Sequence, residues 1–228
     1  MPSIVYLIPT VLEDSAIETI PGYIIDAVQD CKVIFAENER TARRFLKSIR
    51  KEIVIDDFEW HTIHKAEEDQ LSLFRKRMAE GKNIAIISEA GCPGVADPGQ
   101  LLVAAAQEMN AIVKPLVGPS SILLALMASG MNGQQFSFIG YLPIDNQERT
   151  KAIQAIEQRR ETSIFIETPY RNNQLLETIV KACRSSTRLC IAVDITSKQE
   201  FIKTKTIAEW KLDKPELHKR QAIFLLQG

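Results

Sequence analysis

Short apolar runs alternate with helix-patterned stretches throughout the first half of the chain, and this alternation constrains the fold more than any other property of the sequence. The runs fall at Ser3–Ile8, Lys32–Ala36, Ile53–Ile55, Asn83–Ser88 and Ala111–Leu116. Between them, Gly22–Asp30, Glu39–Lys51, Ala66–Glu80 and Gly99–Met109 read as helices, with Pro21 suited to the first turn of the first helix. Strands separated by helices of this length form right-handed crossovers, which implies a mainly parallel sheet.

A turn cluster at Val117-Gly118-Pro119-Ser120-Ser121 ends this regime, and an apolar helix over Ile122–Ala128 follows it. The expected domains are therefore 1–116 and 117–228. In the second, strands are expected at Gln135–Ile139, Ser163–Ile166, Arg188–Val193, Gln199–Lys205 and Ala222–Gln227, with helices at Gln147–Arg160 and Asn172–Arg184. Two helices followed by a run of strands imply a mixed, partly antiparallel sheet. The expected class is α/β in two domains: a mainly parallel N-terminal sheet and a mixed α+β C-terminal domain.

No apolar run reaches the ~18 residues of a membrane helix, and the N-terminus lacks a basic segment followed by an apolar one. Cys31, Cys92, Cys183 and Cys190 are scattered and form no Cys-x-x-Cys pair, so they read as reduced thiols of a cytoplasmic protein. The net charge is −1, with the acidic excess in residues 1–116 and the basic excess in 117–228. A global basic signature for nucleic acid is absent.

The densest chemical signal is Ser88-Glu89-Ala90-Gly91-Cys92-Pro93-Gly94-Val95-Ala96-Asp97-Pro98-Gly99. It follows the run Ile84–Ile87, and the carboxyl end of a buried strand is where open α/β sheets bind ligands. As a functional loop it offers amides and two carboxylates to a polar ligand. As a structural connection it needs only Asp97 to cap the helix that Pro98 begins, a role that fits either reading. Cys92 has no nearby His to activate it and reads as a small loop residue. The Gly118-Pro119-Ser120-Ser121 turn suits an anion at a helix N-terminus, or is simply a Ser-capped helix. Neither loop is a Walker A or Gly-x-Gly-x-x-Gly motif.

The helix at 39–51 sets Ala42, Phe45, Leu46 and Ile49 on one face and Arg40, Arg43, Arg44, Lys47, Arg50 and Lys51 on the other. That second face either tracks phosphates or is a solvated helix surface. His61, His64, Glu67 and Glu68 have a metal-like spacing but no third ligand at a recognised interval, so no metal is expected.

Taken in order, these segments resemble the tetrapyrrole methylase superfamily, and within it the ribosomal RNA small subunit methyltransferase I family. Ser88 to Gly99 resembles the family's Ser-Asp-Ala-Gly-x-Pro to Asp-Pro-Gly segment, and Val117-Gly118-Pro119-Ser120 its Pro-Gly-Pro-Ser turn. Gly140-Tyr141-Leu142-Pro143, Glu167-Thr168-Pro169-Tyr170-Arg171 and Ala36-Glu37-Asn38-Glu39-Arg40 are similar to three further family segments. Departures occur at Thr10-Val11, where the family has Gly-Asn, at Glu89 for Asp, at Tyr170 for His and at Asn38-Glu39 for Asp-Thr. The family's C-terminal extension is also missing.

The resemblance implies an S-adenosyl-L-methionine-dependent methyltransferase, a homodimer, with the cofactor in a cleft between two α/β domains. It implies 2′-O-methylation of a cytidine ribose in small-subunit rRNA; methylation of a tetrapyrrole carbon, or a non-catalytic RNA-associated protein that retains the cofactor pocket, are the alternatives. Cofactor contacts carry over to Pro9, Ser88, Glu89, Ala90, Gly91, Val95, Ser120, Ser121, Tyr141, Leu142 and Pro143. Glu37 and Glu167 carry over as candidate bases. Arg40, Arg43, Arg44, Tyr170 and Arg171 carry over as contacts to rRNA.

Overall fold

The computed structural model describes residues 3–63 and 67–228. The chain divides into two compact units, Met1–Ser120 and Ser121–Gly228, a few residues beyond the turn at Gly118.

The first unit is built on strands β1 (Ile4–Ile8), β2 (Val33–Ala36), β3 (Glu59–Thr62), β4 (Ile84–Ile87) and β5 (Ile112–Pro115). All pair in parallel, in the order β3-β2-β4-β1-β5. Every side chain of β2 and β4 is buried, as expected of central strands covered on both faces. Helices α1 (Ile24–Gln29) and α2 (Glu39–Ile49) close one face around Ile24, Val28, Phe45 and Leu46. Helices α3 (Glu67–Ala79) and α4 (Gln100–Glu108) close the other around Phe74, Met78, Leu102 and Ala106. The chain leaves β1 toward one layer and β4 toward the other, so the neighbouring strands β1 and β4 flank the switch point of the sheet. In open α/β sheets the carboxyl ends at such a point are where ligands bind.

The second unit begins with α5 (Ser121–Ser129) and continues through β6 (Phe136–Tyr141), α6 (Asn146–Glu157), β7 (Thr162–Ile166), α7 (Asn172–Ala182), β8 (Arg188–Val193), β9 (Phe201–Thr206), α8 (Ile207–Leu212) and β10 (Ala222–Gln227). Its sheet runs β6-β7-β10-β8-β9, parallel only between β6 and β7. The expected α/β class with a parallel first sheet and a mixed second sheet is the observed one. The core of this unit collects Ile153, Leu176, Ile179, Trp210, Phe165 and Phe224, and the Trp210 indole donates to Leu189 O at 2.9 Å.

Three expectations are corrected. Ile53–Ile55 is not a strand: Ile55–Asp57 forms a 3-10 turn, and the edge strand is the polar segment Glu59–Thr62. Ile53 is buried and Ile55 partly buried against the α1–α2 core, so their apolarity serves packing outside the ladder. Asp97 does not cap α4. The N-cap position is Gly99, and Glu67 Oε1 of α3 accepts from the amides of Gly99, Leu101 and Leu102 at 3.1, 2.8 and 3.2 Å. Helix α8 was not expected, although Thr206 and Glu209 form a capping box at its start, a signal the sequence carries. The first residue of the expected helix Ala66–Glu80, and His64, lie outside the described residues.

Candidate functional site

Three connections meet at the switch point of the first unit. After β1, Thr10 pairs with Gly91 of the β4–α4 loop: Thr10 N donates to Gly91 O at 2.9 Å and Gly91 N to Thr10 O at 3.2 Å. The Ser88 hydroxyl donates to Gly91 O at 3.2 Å, and the Cys92 thiol reaches Pro119 O at 3.5 Å. Gly91 has φ 76°, and a Cβ there would lie 3.4 Å from Pro119 O. A Cβ on Gly118 would sit 2.2 Å from Pro9 Cβ. Backbones this close exclude side chains, which explains both glycines.

Four amides of the 88–95 loop are engaged within the protein. Glu89 N is taken by Glu37 Oε2 at 2.8 Å, Gly91 N by Thr10 O, Gly94 N by Pro98 O and Val95 N by Cys92 O. Glu37, at the carboxyl end of β2, is buried and holds the start of the loop. Exposed Glu89 takes the Asn38 amide and the Thr41 hydroxyl at 3.4 and 3.3 Å. Two departures from the family pattern, Asn38 and Glu89, thus contact one another.

Asp97, which the sequence offered as a loop carboxylate without a role of its own, is a further functional candidate. Burial, with the charges of Glu37 and Glu89, pushes its carboxyl from the ordinary 3.8 up to about 7. A carboxyl raised first by burial and then by two neighbouring carboxylates favours its protonated form, a perturbation that concentrates at functional sites. The available signal was a third carboxylate in one site region, which capping chemistry obscured.

On α2, Arg43 lies 2.6 Å from Glu39 and sits over the Trp60 ring at 5.0 Å, and Arg44 lies 3.3 Å from Asp14. Those two guanidiniums are committed to carboxylates from the helix itself and from the β1–α1 connection. Arg40 and Arg50 have no ion-pair partner among the described residues and are exposed. His61 belongs to an ion-pair network instead of a metal cluster: its Nε2 lies 2.8 Å from Glu59, whose carboxyl Arg77 holds down at about 2. No group of potential metal ligands occurs among the described residues.

The expected residues of the second unit gather at the carboxyl ends of the parallel pair β6 and β7, where Tyr141 stands opposite Ile166. Leu142 is buried in the core, whereas Tyr141 is exposed. The Glu167 side chain is 1% exposed; its Oε1 accepts from Thr168 N at 2.7 Å and from Arg171 Nη2 at 2.6 Å, while its Oε2 is buried without a partner. Tyr170 is 71% exposed. Ser121 opens α5 and Ser120 closes the first unit.

A group of three carboxylates at the switch point of a doubly wound sheet suits a ligand that carries positive charge and hydrogen-bond donors. S-adenosylmethionine has an ammonium, a sulfonium, two ribose hydroxyls and an adenine amine beside its one carboxylate, so the grouping of Asp97 with Glu37 and Glu89 fits it. Residues 24–211 match the family described as Tetrapyrrole (Corrin/Porphyrin) Methylases, and the chain belongs to that family. It is an S-adenosylmethionine-dependent methyltransferase.

Its relatives narrow the group. The chain is 30% identical over 206 residues to ribosomal RNA small subunit methyltransferase I of Bacillus subtilis (strain 168), covering 90% of this chain and 68% of the relative. It is 29% identical over 226 residues to the protein of the same name in Escherichia coli O157:H7, covering 98% and 77%. Among solved structures, the methyltransferase CobJ superposes with a TM-score of 0.67 at 16% identity, over 100% of this chain and 95% of that one. The cobalt precorrin-4 methyltransferase CbiF gives 0.62 at 14% identity, over 98% and 94%. These two structures share the fold. No helix among the described residues is long and apolar enough to cross a membrane.

Proposed function

We propose that the chain methylates a ribose 2′-hydroxyl of small-subunit rRNA. The observation that carries this reading is the likeness, across almost the whole chain, to two relatives named for that RNA. The exposed Arg40, in the first turn of α2, adds a cationic group beside the cofactor edge, as a phosphate backbone requires.

When bound, S-adenosylmethionine supplies an electrophilic methyl on a sulfonium. Glu89 and Asp97 would hold its cationic and donor groups, with Pro9, Ser88, Ala90, Gly91, Val95 and Ser120 shaping the wall around them. Ser121, Tyr141, Leu142 and Pro143 are kept as cofactor contacts on the family resemblance alone. Fixing donor and acceptor in line supplies much of the rate, and a carboxylate that takes the hydroxyl proton supplies about 10²–10⁴-fold more. We assign that role to Glu37, whose bond to Glu89 N fixes it beside the loop. Glu167 is a positioning residue: it is almost fully buried against Arg171 and aims that guanidinium at substrate.

The experiment is transfer of labelled methyl to purified small ribosomal subunits and, in parallel, to tetrapyrrole precursors. Digestion of the RNA to nucleosides and mass spectrometry would reveal a 2′-O-methyl nucleoside. Label in the tetrapyrrole alone would replace this reading with carbon methylation. Cofactor binding without transfer to either acceptor would make the protein a non-catalytic binder. A homodimer is part of the same proposal, and sedimentation at equilibrium tests it.

A further inference from the structure

The turn after β7 and the loop before β10 bring two exposed rings together. The Tyr170 centroid lies 6.0 Å from that of His218, with the ring planes at 71°. Both side chains are exposed, so burial does not explain their pairing. The two segments that carry them are held unusually firmly. Lys219 N donates to Pro169 O at 3.0 Å, the Asn172 amide to Arg220 O at 2.7 Å and Leu217 N to Asn173 Oδ1 at 2.9 Å. Asn173 also bonds the Glu216 carboxylate, and Leu217 is fully buried beneath the loop.

The backbone here is also strained. Lys219 has φ 62°, and the adjoining β8–β9 turn has Asp194 at 47° and Thr196 at 71°; these are three of the five non-glycine residues with positive φ among the described residues. Arg220 Nε and Gln221 N, both bound to Asp194 at 2.7 and 3.0 Å, tie that turn to the same loop. Strain of this kind persists only where surrounding contacts impose it, and it concentrates at ligand sites. Glu167 Oε2, Asn172 Oδ1 and Thr196 Oγ1 are buried in the same segments without partners.

We propose that Tyr170 and His218 form a corner that stacks one unpaired base of an RNA strand, with the Lys219 ammonium beside the neighbouring phosphate. The inference deepens the reading of RNA as methyl acceptor and rests on it. A base lying on one ring meets the edge of the other, and stacking of this kind needs a nucleotide already out of a helix. Arg171 and Arg220 are neutralised by Glu167 and Asp194. Glu216 turns its carboxylate to Asn173 and to His218 N. Lys219 is left as the exposed cation of the corner.

The test is fluorescence anisotropy with a fluorescein-labelled single-stranded RNA decamer, using the full chain and its Tyr170→Ala, His218→Ala and Tyr170→Phe variants. Each alanine variant should weaken binding about ten-fold, as loss of one stacked base does, while Tyr170→Phe stays close to wild type. Tyr170 is exposed, so unchanged thermal melting would show that the variants fold. Wild-type affinity in both alanine variants, no binding by the wild type, or a Phe variant as weak as the Ala variant would each overturn the corner. Methyl transfer to subunits that persists in the alanine variants with unchanged KM would remove the corner and leave the acceptor reading standing. Decamer binding through the corner without transfer to subunits would remove the acceptor reading alone.

Discussion

Replacing Asp97 with asparagine should stabilise the protein increasingly as pH rises from about 4, reaching its full effect above 7. Burial and the charges of Glu37 and Glu89 hold the folded-state carboxyl at about 7, against 3.8 in the unfolded chain. Between those values the folded state keeps a proton that the unfolded state has released. The folded-state preference is therefore complete below pH 4, declines as pH rises toward 7, and is gone above it. At 1.36 kcal/mol per tenfold change the full shift corresponds to about 4 kcal/mol. Asp97 is only half-buried, and solvent screening reduces the expected effect to about 1–2 kcal/mol. Asp97→Asn should match wild type at pH 4.5 and exceed it by that amount at pH 8, read from urea midpoints at constant slope. A variant equal to or weaker than wild type at pH 8 would refute the argument that burial and the neighbouring carboxylates disfavour the charged form of this group. A cationic ligand should pull the same group toward its ordinary value. Calorimetry at pH 7 in buffers of different ionisation enthalpy should therefore detect proton release when S-adenosylmethionine binds, and none with Asp97→Asn.

Other substitutions test the packing and the assigned roles. Gly118→Ala places a methyl 2.2 Å from Pro9 Cβ and should cost about 1–3 kcal/mol, whereas Gly133→Ala, with open space around it, should be near neutral in the same denaturation series. Glu67→Ala removes the acceptor of three amides and should destabilise by about 1–2 kcal/mol, with faster hydrogen exchange at Leu101 and Leu102. Arg171→Ala leaves the buried Glu167 carboxylate unpaired and should cost about 3–5 kcal/mol by equilibrium unfolding, more than Glu167→Gln. Glu37→Gln should lower kcat about 10²-fold or more while S-adenosylmethionine affinity by calorimetry changes little; an unaltered kcat would remove Glu37 as the base.

The fold was largely legible because both sheets contain strands with strong apolar runs. Ile84–Ile87 and Arg188–Val193 bury nearly every side chain, and such segments announce themselves. Where a strand is polar and lies at an edge, as Glu-Trp-His-Thr does at β3, the same reasoning fixed on the neighbouring Ile53 and Ile55, which are apolar for another purpose. The site was legible as a place but not as an electrostatic environment. A glycine-rich loop at a strand end is visible in one dimension. That the amides of Glu89 and Gly91 are held by Glu37 and Thr10 depends on partners far along the chain. The raised carboxyl of Asp97 depends on Glu37 and Glu89 meeting it in space. The cap supplied by Glu67, more than thirty residues before the helix it caps, has no local signature at all.

That remote cap decides which ligands the switch point refuses. In many doubly wound folds the free amides at a helix N-terminus beside this point attract phosphate. Here Glu67 already occupies them at the start of α4, so the positive end of the helix is screened by the protein's own anion. ATP and other polyphosphates should fail to displace S-adenosylmethionine from this edge even at millimolar concentration. The chain thus discriminates between two abundant adenosine compounds by the sign of the charge each carries at its 5′ end.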